Sequence, residues 1–262
     1  MVEPSLIGML WAIGMMAIAM GLSSWQQLGL TKTLAIATIR TIAQLLGIGL
    51  ILGFIFASQQ PLAIIGIIIV MATIAAVVAK NRVDRDLPKL LKWVWLAIFT
   101  AGLVTVVYVN LLVIRLDPWY DPNYLIPLSG IALGNAMTAA SIAGERLVKA
   151  LRHNRIEIET HLSLGATPTQ AIAAYRRAAI KAGLIPTINA MMVVGLVTLP
   201  GTITGQLLAG ADPLVAAIYQ ILIMFMLALA TLIASLVITY GIAKQFFTPA
   251  MQLIDPTSIQ PS

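Results

Sequence analysis

Few side chains in this 262-residue chain are equipped for chemistry. With no cysteine there is no disulfide, no thiolate metal site and no thiol nucleophile, and the redox compartment stays open. The two histidines, His153 and His161, are eight residues apart with Glu157 midway. That spacing could hold a metal on one helix face, but a solvated face is the better reading, so the sequence reveals no metal site. No nucleophile–base constellation is visible. No Gly-Lys pair occurs, so there is no G-x-x-x-x-G-K-[ST] phosphate loop. What remains is a set of polar residues inside apolar runs. Arg40 has Gln44 one helical turn further on. Asn135, Thr138, Ser141 and Glu145 follow at intervals of three, three and four, which sets them on one stripe of a helix, and Asn189 stands alone. Ionisable residues in lipid are costly and default to a functional role. These residues are therefore candidates for lining a polar path through a membrane. The same pattern fits hydrogen-bonded packing between helices, and Arg40 also fits a side chain that snorkels its head to the interface. Met137, Met191, Met192, Met224 and Met226 could offer thioethers to a soft ion, although methionine in apolar surroundings more often fills space.

The elements that carry these residues must be membrane spans. Hydrophobic residues make up 60% of the chain and charged residues 10%, against about 25% charged in soluble proteins. Apolar runs of about twenty residues match the bilayer core. Only helices satisfy their own backbone across lipid at such lengths. The expected fold is thus an all-α integral membrane protein, a single transmembrane domain over 1–262. About seven spans are read, at 5–22, 33–56, 61–79, 93–114, 124–143, 182–199 and 214–243. A first span that anchors is expected rather than a cleaved leader, because the N-terminal run lacks a basic start. Fourteen of the sixteen Lys and Arg then fall on one side. Arg115 lies on the other side, and Arg40 lies within a span. The positive-inside bias places the N-terminus outside and the C-terminus in the cytoplasm. It also explains the net charge of +6 without nucleic acid. Trp25, Trp93, Trp95, Trp119, Tyr120 and Tyr124 sit near span ends, as interfacial anchors do.

Two connections break the pattern. The basic segment 144–181 is long enough to have its own structure, and Leu147 and Leu151 share a helix face. A helix is expected to about residue 164, ended by Gly165. Thr167 is its successor's N-cap, with Pro168 at the first helical position and Gln170 completing a capping box. This helix–turn–helix is read as a docking surface for a cytoplasmic partner, with a plain solvated connector as the other reading. At the far end of span six, Pro200 and Gly201 should interrupt the helix, and Gly201 and Gly205 form G-x-x-x-G, which permits close helix approach. Pro200, Gly201 and Gly205 are gate candidates, while simple helix termination accounts for them as well. Asp212, before Pro213, reads as the N-cap of span seven.

Glu159-Thr-His-Leu-Ser-Leu-Gly165, a Glu six before a Gly, resembles the docking loop of bacterial ABC-transporter permeases. In this chain Thr160 and His161 replace that motif's two alanines. Ile126-Pro-Leu-Ser-Gly130, Gly134-Asn-Ala-Met137, Leu184 to Gly195, Leu199-Pro-Gly201, Thr204 to Pro213 and Tyr219-Gln220 resemble the Fet-type iron-export permeases, a family that includes plant aluminium-tolerance permeases. The resemblance covers nearly the whole chain. It implies an inner-membrane permease subunit in metal homeostasis that exports a metal ion such as iron. It implies a separate cytoplasmic ATPase that holds ATP and magnesium, and a docking site at Glu159, Leu164, Gly165, Ala166, Thr167 and Pro168. No catalytic residue and no cofactor are expected in this chain. A homodimer is expected, since seven spans make a thin wall for a pathway. An ion-coupled secondary transporter and a non-transporting membrane scaffold remain the alternatives.

Overall fold

The computed structural model describes residues 6–58 and 60–257. The described residues are almost wholly helical. The chain divides into two compact units, Met1–Gln60 and Pro61–Ser262.

The first unit holds α1 (Leu6–Trp25) and α2 (Thr31–Ser58), packed on each other. Apart from Lys32, Arg40 and Gln44 in the first half of α2, both are largely apolar on every side, as suits helices that face lipid.

The second unit holds α3 (Pro61–Val83), α4 (Leu90–Tyr108) continued by one π-helical turn (Val109–Ile114), α5 (Pro122–His153), α6 (Arg155–Ser163), α7 (Pro168–Ala171), α8 (Ala173–Val193), α9 (Gly201–Leu208) and α10 (Pro213–Phe246). The long helices α5 and α10 form its centre, and each packs on α4 and α8. Their contact faces are built from small residues. Ala132, Ala136, Ala139, Ala140 and Ala143 of α5 are buried, as are Ala72, Ala76 and Ala79 of α3. In lipid, helix association depends on close backbone approach rather than on the hydrophobic effect, and small side chains permit it. The tightest point is Gly183 of α8. A Cβ there would lie 2.6 Å from Ser235 Oγ and 3.0 Å from the Ala139 carbonyl oxygen.

Six helices among the described residues are long and apolar enough to cross a membrane. They correspond to six of the seven expected spans, with two differences. The fifth helix does not stop near 143: α5 runs on to His153, because Leu147, Val148 and Leu151 stay buried in the core beyond the membrane length. The expected sixth span, 182–199, is not one helix. Its first part belongs to α8, which begins at Ala173 and carries Arg176, Arg177 and Lys181 in its opening turns. The helix ends at Val193, short of Pro200, and α9 begins after the break. The expected sixth span is thus divided between α8 and α9, and neither is among the six helices long and apolar enough to cross.

The break has a local cause. Gly195 takes φ +82, in the left-handed region that glycine enters freely, and its amide donates to the Thr198 carbonyl. The residue before a proline is pushed out of the helical region, which disfavours helix at Leu199. Pro200 then stands at the N-cap of α9, one residue outside the helix.

Candidate functional site

At the basic end of the second unit, the expected helix–turn–helix is present with its expected caps. α6 closes in a Schellman turn: the Gly165 amide donates to the Leu162 carbonyl at 3.0 Å and the Ala166 amide to the His161 carbonyl at 3.0 Å. Gly165 has φ +90. The Thr167 hydroxyl accepts from the Gln170 amide, and the Gln170 side chain accepts from the Thr167 amide at 2.9 Å, so the capping box is closed. α7 is a single turn, so the second helix of the motif is short before α8 begins.

One face of this segment is anchored through Ile158, Ala171 and Ile172, all buried in the core. Burial, helped by the Glu157 carboxylate, pushes the Tyr175 phenol up to about 12. Glu159 accepts from Arg155 Nε at 2.7 Å. The other face carries apolar side chains into solvent: Leu164 is 81% exposed and Ile156 82%. The turn is therefore rigid, fixed to the core and apolar at its tip.

The C-terminal tail closes the same end. Arg152, at the end of α5, donates to Asp84 Oδ2 at 2.7 Å and to Asp255 Oδ2 at 2.9 Å. One guanidinium thus joins the α3–α4 loop, α5 and the tail. Burial would raise the Asp255 carboxyl, but hydrogen bonds from the Thr257 amide and hydroxyl and from Arg152 outweigh it and hold it below its ordinary range. The sequence gives no hint of this junction, because its members lie 68 and 103 residues from Arg152.

Three cavities follow α8 from the basic end. The first, about 570 Å³, lies between α5 and α8 and is lined by Glu145, Arg146, Lys149, His153 and Tyr175 among others. The second, about 90 Å³, is lined by Asn135, Thr138, Gly183, Pro186, Thr187 and Met224 with their neighbours. The third, about 380 Å³, lies at the α8–α9 break and includes Met191, Gly195, Pro200, Gln220 and Met224. Tyr219 and Tyr240 of α10 are 21 residues apart, about 32 Å along a helix, close to the bilayer core of about 30 Å. The break is bonded to α10 through Thr202 and Gln220, and Gln220 is next to the first of these tyrosines in the chain.

The predicted polar stripe is only partly assembled. Asn135 and Thr138 meet in the middle cavity, and Glu145 lines the basic one. Ser141 is buried and lines none of the three, while Asn189 is exposed on another face. Asn135, Thr138 and Ser141 each donate to the carbonyl four residues back, at 2.9, 3.1 and 2.8 Å. Arg40 and Gln44 lie exposed on α2, in the other unit. Gly201 and Gly205 have no neighbour within 4 Å of a Cβ position, so no helix of this unit packs on that G-x-x-x-G. Asp212 caps α10 as expected, accepting from the Leu214 and Val215 amides. Thr187 and Gln220 are not picked out by spacing. Gln220 has a signal, as an amide inside an apolar 34-residue helix. Among the described residues, no group of three His, Asp or Glu could hold a metal.

Fold and site define an all-helical, multi-pass membrane protein with a structured turn at its basic end. Residues 6–247 match the model of the uncharacterised protein family UPF0014, and the chain belongs to that family. It is 48% identical to the UPF0014 membrane protein slr1647 of Synechocystis sp., over 93% of this chain and 94% of that one. It is 34% identical to Protein ALUMINUM SENSITIVE 3 of Arabidopsis thaliana, over 92% and 87%. It is 30% identical to the probable iron export permease protein FetB of Escherichia coli, over 93% and 92%. No solved structure matches the chain.

Proposed function

We propose that this chain is the membrane permease subunit of an ATP-driven ABC transporter, coupled through its 144–181 segment to a separate cytoplasmic ATPase that binds ATP and magnesium. The observation that carries the proposal is the turn at Leu164–Pro168. It is rigidly capped and anchored by Ile158, yet it holds the apolar Leu164 out in solvent at the basic end. An exposed apolar side chain on a fixed turn is what a protein partner's groove would take up. This chain has no phosphate loop, so a nucleotide-driven cycle needs another polypeptide.

The basic end faces the cytoplasm of a plasma or inner membrane, and the N-terminus lies on the opposite side. The pathway follows the three cavities along α8, with Asn135, Thr138 and Glu145 on its wall. A second copy completes it: Leu196 and Val197 at the helix break are 89% and 80% exposed within their unit, beside backbone that is not helical. Such backbone at membrane depth needs protein cover. The cargo is a metal ion, with iron suggested by the name of the Escherichia coli relative.

The test is co-purification with cellular ATPases in mild detergent, comparing wild type with Gly165→Val. At φ +90 a β-branched side chain costs upward of about 1–2 kcal/mol, which disrupts the turn while leaving the spans intact. A phosphate-loop protein retained by wild type and lost from the variant supports the coupling. Equal retention by both removes the docking turn. If neither retains one, an independent transporter or a scaffold takes the permease's place.

A further inference from the structure

The cavity at the α8–α9 break has a donor set unlike the rest of the molecule. Gln220 is only 5% exposed and lines it. The Thr202 hydroxyl donates to its amide oxygen, and its amide nitrogen has no partner among the described residues. A half-turn of the amide exchanges the two, with the hydroxyl accepting instead, and presents the oxygen to the cavity. Met191 lines the same cavity, as does Met224, which is 8% exposed and also lines the middle cavity. The break frees backbone oxygens as well. In a continuous helix the Met191 and Met192 carbonyls would accept from Gly195 and Leu196, but those amides donate to Thr198 and Val193. Among the described residues, no carboxylate and no cationic side chain lines either cavity.

Two thioethers, one amide and free carbonyls are neutral donors, and thioethers are soft. Hard, highly charged ions need carboxylates and retained water. We propose that this chamber is a binding site for a soft monovalent cation of the Cu(I) class, held by Met191, Met224 and Gln220. This deepens the transport reading, on which it rests, by naming the class of cargo that can pause at the break. A soft cargo of this class departs from the iron that the name of the Escherichia coli relative suggests, and a comparison of Ag(I) with Fe(II) separates the two. The ion would enter and leave through Met224, the one side chain common to both cavities.

The test uses Ag(I), which has the same coordination preference and no redox chemistry of its own in this setting, on the full chain in detergent. Peroxide footprinting read by peptide mass spectrometry reports each methionine's sulfoxide yield. Ag(I) is expected to protect Met191 and Met224 stoichiometrically and to leave the exposed Met251 unprotected. The volume-conserving Met191→Leu/Met224→Leu double variant should bind Ag(I) at least tenfold more weakly by titration calorimetry, with an unchanged thermal transition. Gln220→Leu should lose several-fold. Unchanged affinity in the double variant, protection spread over all exposed methionines, or tighter binding of Fe(II) than of Ag(I) by anaerobic, peroxide-free titration calorimetry would each overturn the assignment. No ATPase is present in the assay. Ag(I) binding without ATPase co-purification therefore sinks only the coupling, and co-purification without Ag(I) binding sinks only the soft-ion site.

Discussion

Arg152 concentrates more of this molecule's order at the basic end than any residue its sequence marks out. It bridges Asp84, whose side chain is 9% exposed, and Asp255. Asp255 is held below its ordinary carboxyl range, so its contribution is present above the unfolded value of about 4 and is lost as pH falls through the lower folded value. Proteolysis of the C-terminal tail should therefore stay slow at neutral pH and accelerate only below about pH 4. Arg152→Met should make the tail labile already at pH 7, and acid should add little further. Identical pH profiles for variant and wild type would show that other contacts hold the tail. The replacement should also cost more than a surface ion pair's ~1 kcal/mol, because it takes the guanidinium from the nearly buried Asp84 and leaves it only the Asp86 and Leu87 amides. At this scale the sequence is an uneven guide. The Thr167–Gln170 capping box and the Asp212 cap are local and readable from spacing. The Arg152 junction and the pairing of Gln220 with Thr202 link residues far apart in the chain, so no spacing reveals them.

Among the elements, α8 shows best how packing decides what propensity leaves open. Gly183 lies against Ser235 and the Ala139 carbonyl, and Ser235 Oγ is itself buried without a partner among the described residues. Gly183→Ala should destabilise by about 1–3 kcal/mol, as overpacking does. Gly183→Ala/Ser235→Gly should recover much of that loss, since the two sites are in contact and their effects cannot add. Thermal unfolding in detergent measures both variants, and strictly additive losses would contradict the contact. The expected end of span five at 143 and start of span six at 182 follow hydropathy, which tracks lipid. Helices α5 and α8 ignore that boundary, because Leu147, Leu151 and Ala179 continue the protein core beyond the membrane. A break near Pro200 is legible in the sequence, but not its start at Val194, which depends on the left-handed Gly195.

For the whole molecule, a seventh crossing made by α8 and α9 together is an expectation open to a direct test. The chain has no cysteine, so single introduced cysteines report cleanly. Cysteines at Ser163 and at Ala211 should label from opposite sides of the membrane with an impermeant maleimide. Labelling from the same side would remove the seventh crossing and return α9 to the side from which α8 starts. Composition and the order of apolar and basic runs suffice for an all-helical membrane protein, its approximate spans and the exposed turn between them. Those properties depend on hydropathy and on contacts within a few residues, which a sequence displays directly. Only the tertiary structure decided that Asn135 and Thr138 share a cavity while Ser141 and Asn189 do not. The same holds for the meeting of Met191, Met224 and Gln220 at a broken helix. Each side chain's neighbours there depend on the rotation and depth of a helix set by Ala and Gly contacts across the bundle, and hydropathy carries no record of either.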